Sequence, residues 1–248
     1  MRYSPNLNIV IKAVEKASNK VSRDFTELEN LQNNPTSAIK FANFCYNKAK
    51  EIIVKDLQQF RPQFDLYFLD GEIISNNNNC SEYSCLIIPI DGFDNLNRAN
   101  QNFTIAVALR HHNKDSIQTI GLVINDVTNN NLYYCEKGLG AFVNNRRIRV
   151  SKRNNINDLS IAISNYNDLE RINNKINKNN FHILQSVTLQ MSYLASAKYD
   201  LMIISGEVNL FIADSFSLLV KEAGGSSVND NDRIIFTNNL INNISTLK

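Results

Sequence analysis

Between Cys85 and Leu109 the chain reads CLIIPIDGFDNLNRANQNFTIAVAL, and no other stretch limits the fold as strongly. The apolar run Leu86 to Ile90 reads as a buried strand, and it breaks at Asp91-Gly92, a strong turn signal. A second apolar run, Phe103 to Leu109, alternates enough to be the next strand. The pattern puts a carboxylate at the carboxyl end of a buried strand. Taken alone, Asp-Gly is more often a plain turn than a site.

Helical patterns precede this stretch. Ser4-Pro5 supplies a capping hydroxyl and a first-turn proline, and Leu7, Ile11, Val14, Ala17, Val21, Phe25 and Leu28 then recur at helical spacing. After Asn33-Asn34-Pro35 a second helix is expected from about Ser37 to Leu57, burying Ala42, Cys45, Ala49 and Ile53 and ending before Pro62. Phe64 to Leu69 reads as a strand running into Asp70-Gly71-Glu72-Ile73. Downstream, residues 117–151 read as strands between Asn- and Gly-containing turns, with Asn144-Asn145 as a hairpin turn. Arg146, Arg147 and Arg149 read as a solvated hairpin edge rather than a phosphate or RNA site.

A strand at Leu159–Ile163, a polar helix at about Asp168–Asn177 and a strand at Phe181–Leu184 follow. Thr188 to Ile203 reads as helix then strand, with Met191 and Tyr193 in the core. Asp214 is expected to N-cap a helix Ser215–Lys221 that ends at Gly224. Arg233 to Thr237 and a short terminal helix close the chain.

At 248 residues the chain is long enough for a substantial core, and 43% hydrophobic with 20% charged residues argues against global disorder. Twenty-six Lys and Arg against 24 Asp and Glu are too balanced to imply direct nucleic-acid binding. No apolar stretch is long enough to span a bilayer, and MRYSPNLNIVIKAVEKA lacks the features of a secretory signal. Cys45, Cys80, Cys85 and Cys135 are scattered without a CxxC pair, which fits reduced thiols in a cytoplasmic protein. The Asn76–Asn79 run fits a coding bias and needs no functional tract.

The stretch around Asp91 resembles the signature of the inositol monophosphatase family, in which a strand ends in Asp-Pro-Ile/Leu-Asp-Gly-Thr-Thr-Asn-Phe and a strand ending in Ala-Val-Ser-Ile follows. Pro89, Ile90, Asp91, Gly92 and Asn95 stand as in that signature; Ile88 takes the place of its first aspartate, and Phe93-Asp94 replace the threonines. LNIVIKAVEKASNKVSRDF is similar to the first helix of the family's bacterial SuhB group, and Gly138 to Asn145 resembles the family's Gly-Lys-Gly-Ala-Phe-x-Asn-Gly. Glu222-Ala223-Gly224-Gly225 matches Glu-Ala-Gly-Gly, and counting back places the family's Trp-Asp on Phe211-Ile212. The resemblance covers about residues 4–30, 64–150 and 186–237.

This resemblance implies a layered α/β/α/β/α sandwich formed by one domain over residues 1–248, with subdomains of about 1–150 and 151–248, usually as a homodimer. It implies a phosphate monoesterase using Mg²⁺ held by carboxylates, yet Ile73, Ile88 and Ile212 fall on three ligand positions. An alkyl side chain offers Mg²⁺ no oxygen. The water-orienting Thr-x-x-Asp is also missing, with Asn47 nearest its aspartate, and Val187 is placed where the family's Gly-Ser/Thr-Ala has glycine. Asp91 is left as a weak, vestigial metal ligand, with Glu72 expected to be solvated. The backbone amides of Gly92 and Phe93 are left as a vestigial phosphate cradle, opposed by the charge of Asp94.

The leading expectation is a SuhB-like protein with a degenerate site and a non-catalytic role, its partners being RNA polymerase and Nus factors, as in bacterial relatives. The alternatives are an active phosphatase with a rebuilt site of Glu72, Asp91, Asp94 and Asp214, and an anion- or sugar-phosphate-binding protein without turnover.

Overall fold

The computed structural model describes residues 3–75, 81–113, 116–170, 180–230 and 232–239. Two long helices open the chain. In α1 (Pro5–Asn30) the Ser4 hydroxyl accepts the Leu7 amide at 3.2 Å, and in α2 (Pro35–Phe60) Asn34 does the same for Ser37 at 3.1 Å. Each cap satisfies one of the amides a helix start leaves unpaired, and a proline follows it in the first turn. The core stripe of α1 is Leu7, Val10, Val14, Ala17, Val21, Phe25 and Leu28, so Val10 takes the fully buried place expected for Ile11. In α2 the stripe is Ala38, Ala42, Cys45, Ala49, Ile53 and Leu57.

Strands β1 (Asp65–Phe68), β2 (Ile73–Ile74) and β3 (Tyr83–Asp91) lead to the short α3 (Phe93–Asn97). Then come β4 (Thr104–Asn113), β5 (Ser116–Asp126), β6 (Asn131–Glu136), β7 (Gly140–Val143) and β8 (Arg146–Arg147). They form one eight-stranded sheet in the order β2-β1-β3-β4-β5-β6-β7-β8, antiparallel except for the β1–β3 pair. Asn144 and Asn145 join β7 to β8 with φ of 46° and 66°, the left-handed pair that a two-residue hairpin turn requires.

The apolar run of β3 has no polar alternation because both its faces are covered. Cys85 and Ile87 join α1 and α2 in one core cluster, while Leu86 and Ile88 enter a second cluster on the opposite face. That second face is covered by α5 (Val187–Ala195), α6 (Glu207–Phe216) and α7 (Leu218–Glu222), which follow β9 (Ile161–Ile163), α4 (Asn167–Glu170) and β10 (Phe181–His182). Strands β11 (Leu201–Ser205), β12 (Ser226–Asp230) and β13 (Arg233–Thr237) complete a five-stranded sheet, order β10-β9-β11-β13-β12. A third cluster lies on it, with Leu169 of α4 packed against Ile161, Ile163 and Ile203. The layers therefore run α/β/α/β/α.

One sequence expectation changes here. The helix expected over Ser215–Lys221 is α7, Leu218–Glu222, and Asp214 lies inside the last turn of the preceding α6 with an exposed side chain rather than capping a start. The polar helix expected at about Asp168–Asn177 is described over Asn167–Glu170; residues 171–179 and the expected terminal helix lie outside the described residues. Met191 is fully buried, and Tyr193 is partly buried against the same cluster. Cys45, Cys85 and Cys135 are buried free thiols.

Candidate functional site

The end of β3 is irregular. Its register with β4 shifts between Ile88 and Asp91, and Pro89, which has no amide to donate, falls in that shift. Such a bulge re-aims the residue after it. Asp91 consequently meets the N-terminus of α5, across 97 positions of sequence. One carboxylate oxygen, Oδ2, accepts the Ser186 hydroxyl at 2.9 Å, the Thr188 amide at 2.7 Å and the Thr188 hydroxyl at 2.7 Å. Thr104 extends the network through a 2.6 Å contact between its hydroxyl and that of Thr188.

Ser186 also N-caps α5, accepting the Leu189 amide at 3.4 Å. A carboxylate at a helix start is favoured by the free amides and the dipole there. Burial nonetheless dominates and pushes the Asp91 carboxyl above its ordinary value, while the hydrogen bonds from Thr188, Ser186 and the Gly92 backbone pull the other way.

The turn beyond Asp91 is built as tightly. Gly92 has φ 88°, and a Cβ there would come within 2.8 Å of the Asn102 carbonyl. Asn95 donates to the carbonyls of Asn102 at 2.8 Å and Leu184 at 2.6 Å, tying the turn to the segment ahead of α5. The left-handed residue before the Ser186 cap is Gln185, at φ 55°. Val187, placed by the resemblance where the family has glycine, is a core residue.

Ile88 and Ile212 are buried in the same apolar cluster as Val187 and Phe216. Ile73 pairs with Tyr67, whose ring packs against that cluster, but sits at the sheet edge with 56% of its surface exposed. Glu72 is not simply solvated: its carboxylate meets Lys50 Nζ at 2.6 Å, and that ammonium lies 4.1 Å from the centre of the Phe68 ring. Asp94 and Asp214 are both exposed. Asn47 is exposed too, while its neighbour Tyr46 packs edge-on against Phe93 at 6.2 Å. Burial, then Asp70, raises the Tyr46 hydroxyl. Among the described residues no three His, Cys, Asp or Glu side chains gather as a metal ion would need.

Sequence reasoning missed Ser186, Thr188, Thr104, Tyr46 and Lys50. Ser186 carried a usable signal, a capping serine directly before an apolar helix. Tyr46 and Lys50, four apart on α2, carried only the signal that they share a helix face.

A sheet strand ending in Pro-Ile-Asp-Gly against a helix start, within five alternating layers, defines the class: the sandwich of the inositol monophosphatase-like proteins. The crystal structure of extragenic suppressor protein SuhB from Bartonella henselae superposes with a TM-score of 0.78 at 24% identity, over 95% of this chain and 94% of that one. The profile of the inositol monophosphatase family matches residues 3–239, and the chain belongs to that family. It is 29% identical to the inositol-1-monophosphatase of Rhizobium meliloti, over 92% of this chain and 86% of that protein. It is 26% identical to the Nus factor SuhB of Xylella fastidiosa, over 89% and 80% respectively.

Proposed function

We propose that this family member has lost the Mg²⁺-dependent phosphate-monoesterase site and serves a non-catalytic role, working with the RNA polymerase and Nus-factor machinery as a homodimer. The observation that carries this reading is the state of Asp91. Its Oδ2 already accepts three hydrogen bonds, from the Ser186 hydroxyl and from the amide and hydroxyl of Thr188. Mg²⁺ takes hard oxygen ligands in near-octahedral geometry, and Ile73, Ile88 and Ile212 provide none. The donor set does not fit the ion.

Apolar replacement also removes the mutual repulsion of clustered carboxylates, so the packed site is more stable than an unfilled one. A rebuilt site finds no support in the other carboxylates, because Glu72 is held by Lys50 and Asp94 and Asp214 face solvent. Support for the transcription role comes from the relatives that are Nus factors. Among the described residues no helix is long and apolar enough to cross a membrane.

The test is phosphate release from inositol monophosphate and sugar phosphates at millimolar Mg²⁺, run beside an Asp91→Asn control. We expect equal background in both. Robust turnover abolished by the substitution would sink the reading and favour a rebuilt site.

A further inference from the structure

A second cavity lies on the opposite face of the eight-stranded sheet from α5. It is about 570 Å³, bounded by α1 on one side and by the β5–β6 and β7–β8 turns on the other. That volume is within the range of small-molecule sites. At its back stands Asn125 of β5, 3% exposed, whose Oδ1 has no hydrogen-bond partner among the described residues. A buried amide oxygen left unpaired costs free energy comparable to a lost hydrogen bond, and native proteins rarely tolerate one without a reason. Asn125 is a central-strand residue, paired with Ile105 and Leu132, so its backbone is fixed.

The rest of the lining narrows the ligand. Glu15 and Asn19 approach from α1, neither engaged by another side chain among the described residues. Asn145 accepts the Tyr134 hydroxyl at 2.8 Å, and its NH₂ has no partner among the described residues. Tyr3 meets Tyr134 edge-on at 5.1 Å, and the buried Tyr134 ring is itself stacked on Phe142. Among the described residues no Lys or Arg lines the cavity, so they offer nothing to neutralise a phosphate. Amides present a donor and an acceptor together, which pairs with hydroxyls that do both, and the carboxylate adds a further acceptor for them.

We propose that this cleft binds a neutral polyhydroxylated ring, of the monosaccharide class, read by Asn125 at its back and Glu15 at its rim. The site is independent of the Asp91 network and of whether that network hydrolyses anything.

The experiment is ligand-observed NMR and calorimetry on the full chain with D-glucose, D-galactose and D-mannose, and with glucose 6-phosphate as the charged comparison. We expect saturable binding of at least one neutral hexose and weaker binding of the phosphate. Asn125→Leu should weaken binding severalfold to about tenfold, the worth of one hydrogen bond. Leucine matches the asparagine in size and needs no partner, so that variant should fold. If it does not, Glu15→Ala on the exposed rim decides the matter, with a severalfold loss expected. Absence of hexose binding in the millimolar range overturns the proposal, as does tighter binding of the phosphate. So does a crystal soaked in hexose that shows only water on Asn125, or binding unchanged in the variant that reads the site.

Discussion

Asp91 is held as a structural carboxylate: a buried group spanning the end of one strand and the start of a helix almost a hundred residues away. Its titration gives a signed expectation. Burial raises its folded-state pKa above the ordinary 3.8, so folding favours the protonated form. That contribution is complete below the unfolded value and is lost as pH rises through the folded one. Asp91→Asn removes the titration. In urea denaturation the variant should gain on the unsubstituted protein as pH rises from the ordinary carboxylate range to neutrality; a flat or opposite trend contradicts the dominance of burial. Ser186→Ala removes a helix cap and a donor to Asp91 together, and should cost about 1–2 kcal/mol in the same measurement. Gly92→Ala places a Cβ against the Asn102 carbonyl in a left-handed backbone, and a loss of about 1–3 kcal/mol is expected.

The elements themselves were largely legible. Ser4-Pro5 and Asn34-Pro35 marked two helix starts, and the unbroken run of Leu86 to Ile90 marked a strand with no exposed face. What could not be read was which carboxylate the start of α5 would meet, because no local pattern encodes a partner nearly a hundred residues away. The start of α6 was missed for a related reason: Gly206, at φ 88°, opens it without a capping side chain, while Asp214 looked like a cap further on. The three isoleucines that the resemblance places on ligand positions were legible as residues, but not their surroundings. Ile88 and Ile212 lie in a packed core, whereas Ile73 is more than half exposed. Ile88→Asp should therefore cost about 3 kcal/mol or more, since it buries a carboxylate without a partner. Ile73→Glu should stay within about 0.5 kcal/mol, as exposed changes do. Thermal and urea unfolding of the two variants checks the contrast, and equal costs would contradict the packing described.

At the scale of the whole molecule, the five layers of the family are kept, and in the proposed reading the groups around one strand end have been exchanged for packing. Fold and chemistry are separable in this way because the layers are held by three apolar clusters, none of which requires a metal. Assembly belongs to this scale. Sedimentation at micromolar concentration should show twice the 28.2 kDa of one chain, and a species of 28.2 kDa alone would refute the homodimer. The central claim concerns the ion, and it is tested most directly by anomalous diffraction from crystals grown with excess Mn²⁺ and phosphate. We expect no anomalous peak at coordination distance, about 2.0–2.2 Å, from the Asp91 carboxylate, with its hydrogen bonds to Ser186 and Thr188 intact. A well-occupied ion ligated by Asp91, with those hydrogen bonds broken, would contradict the loss of the metal site.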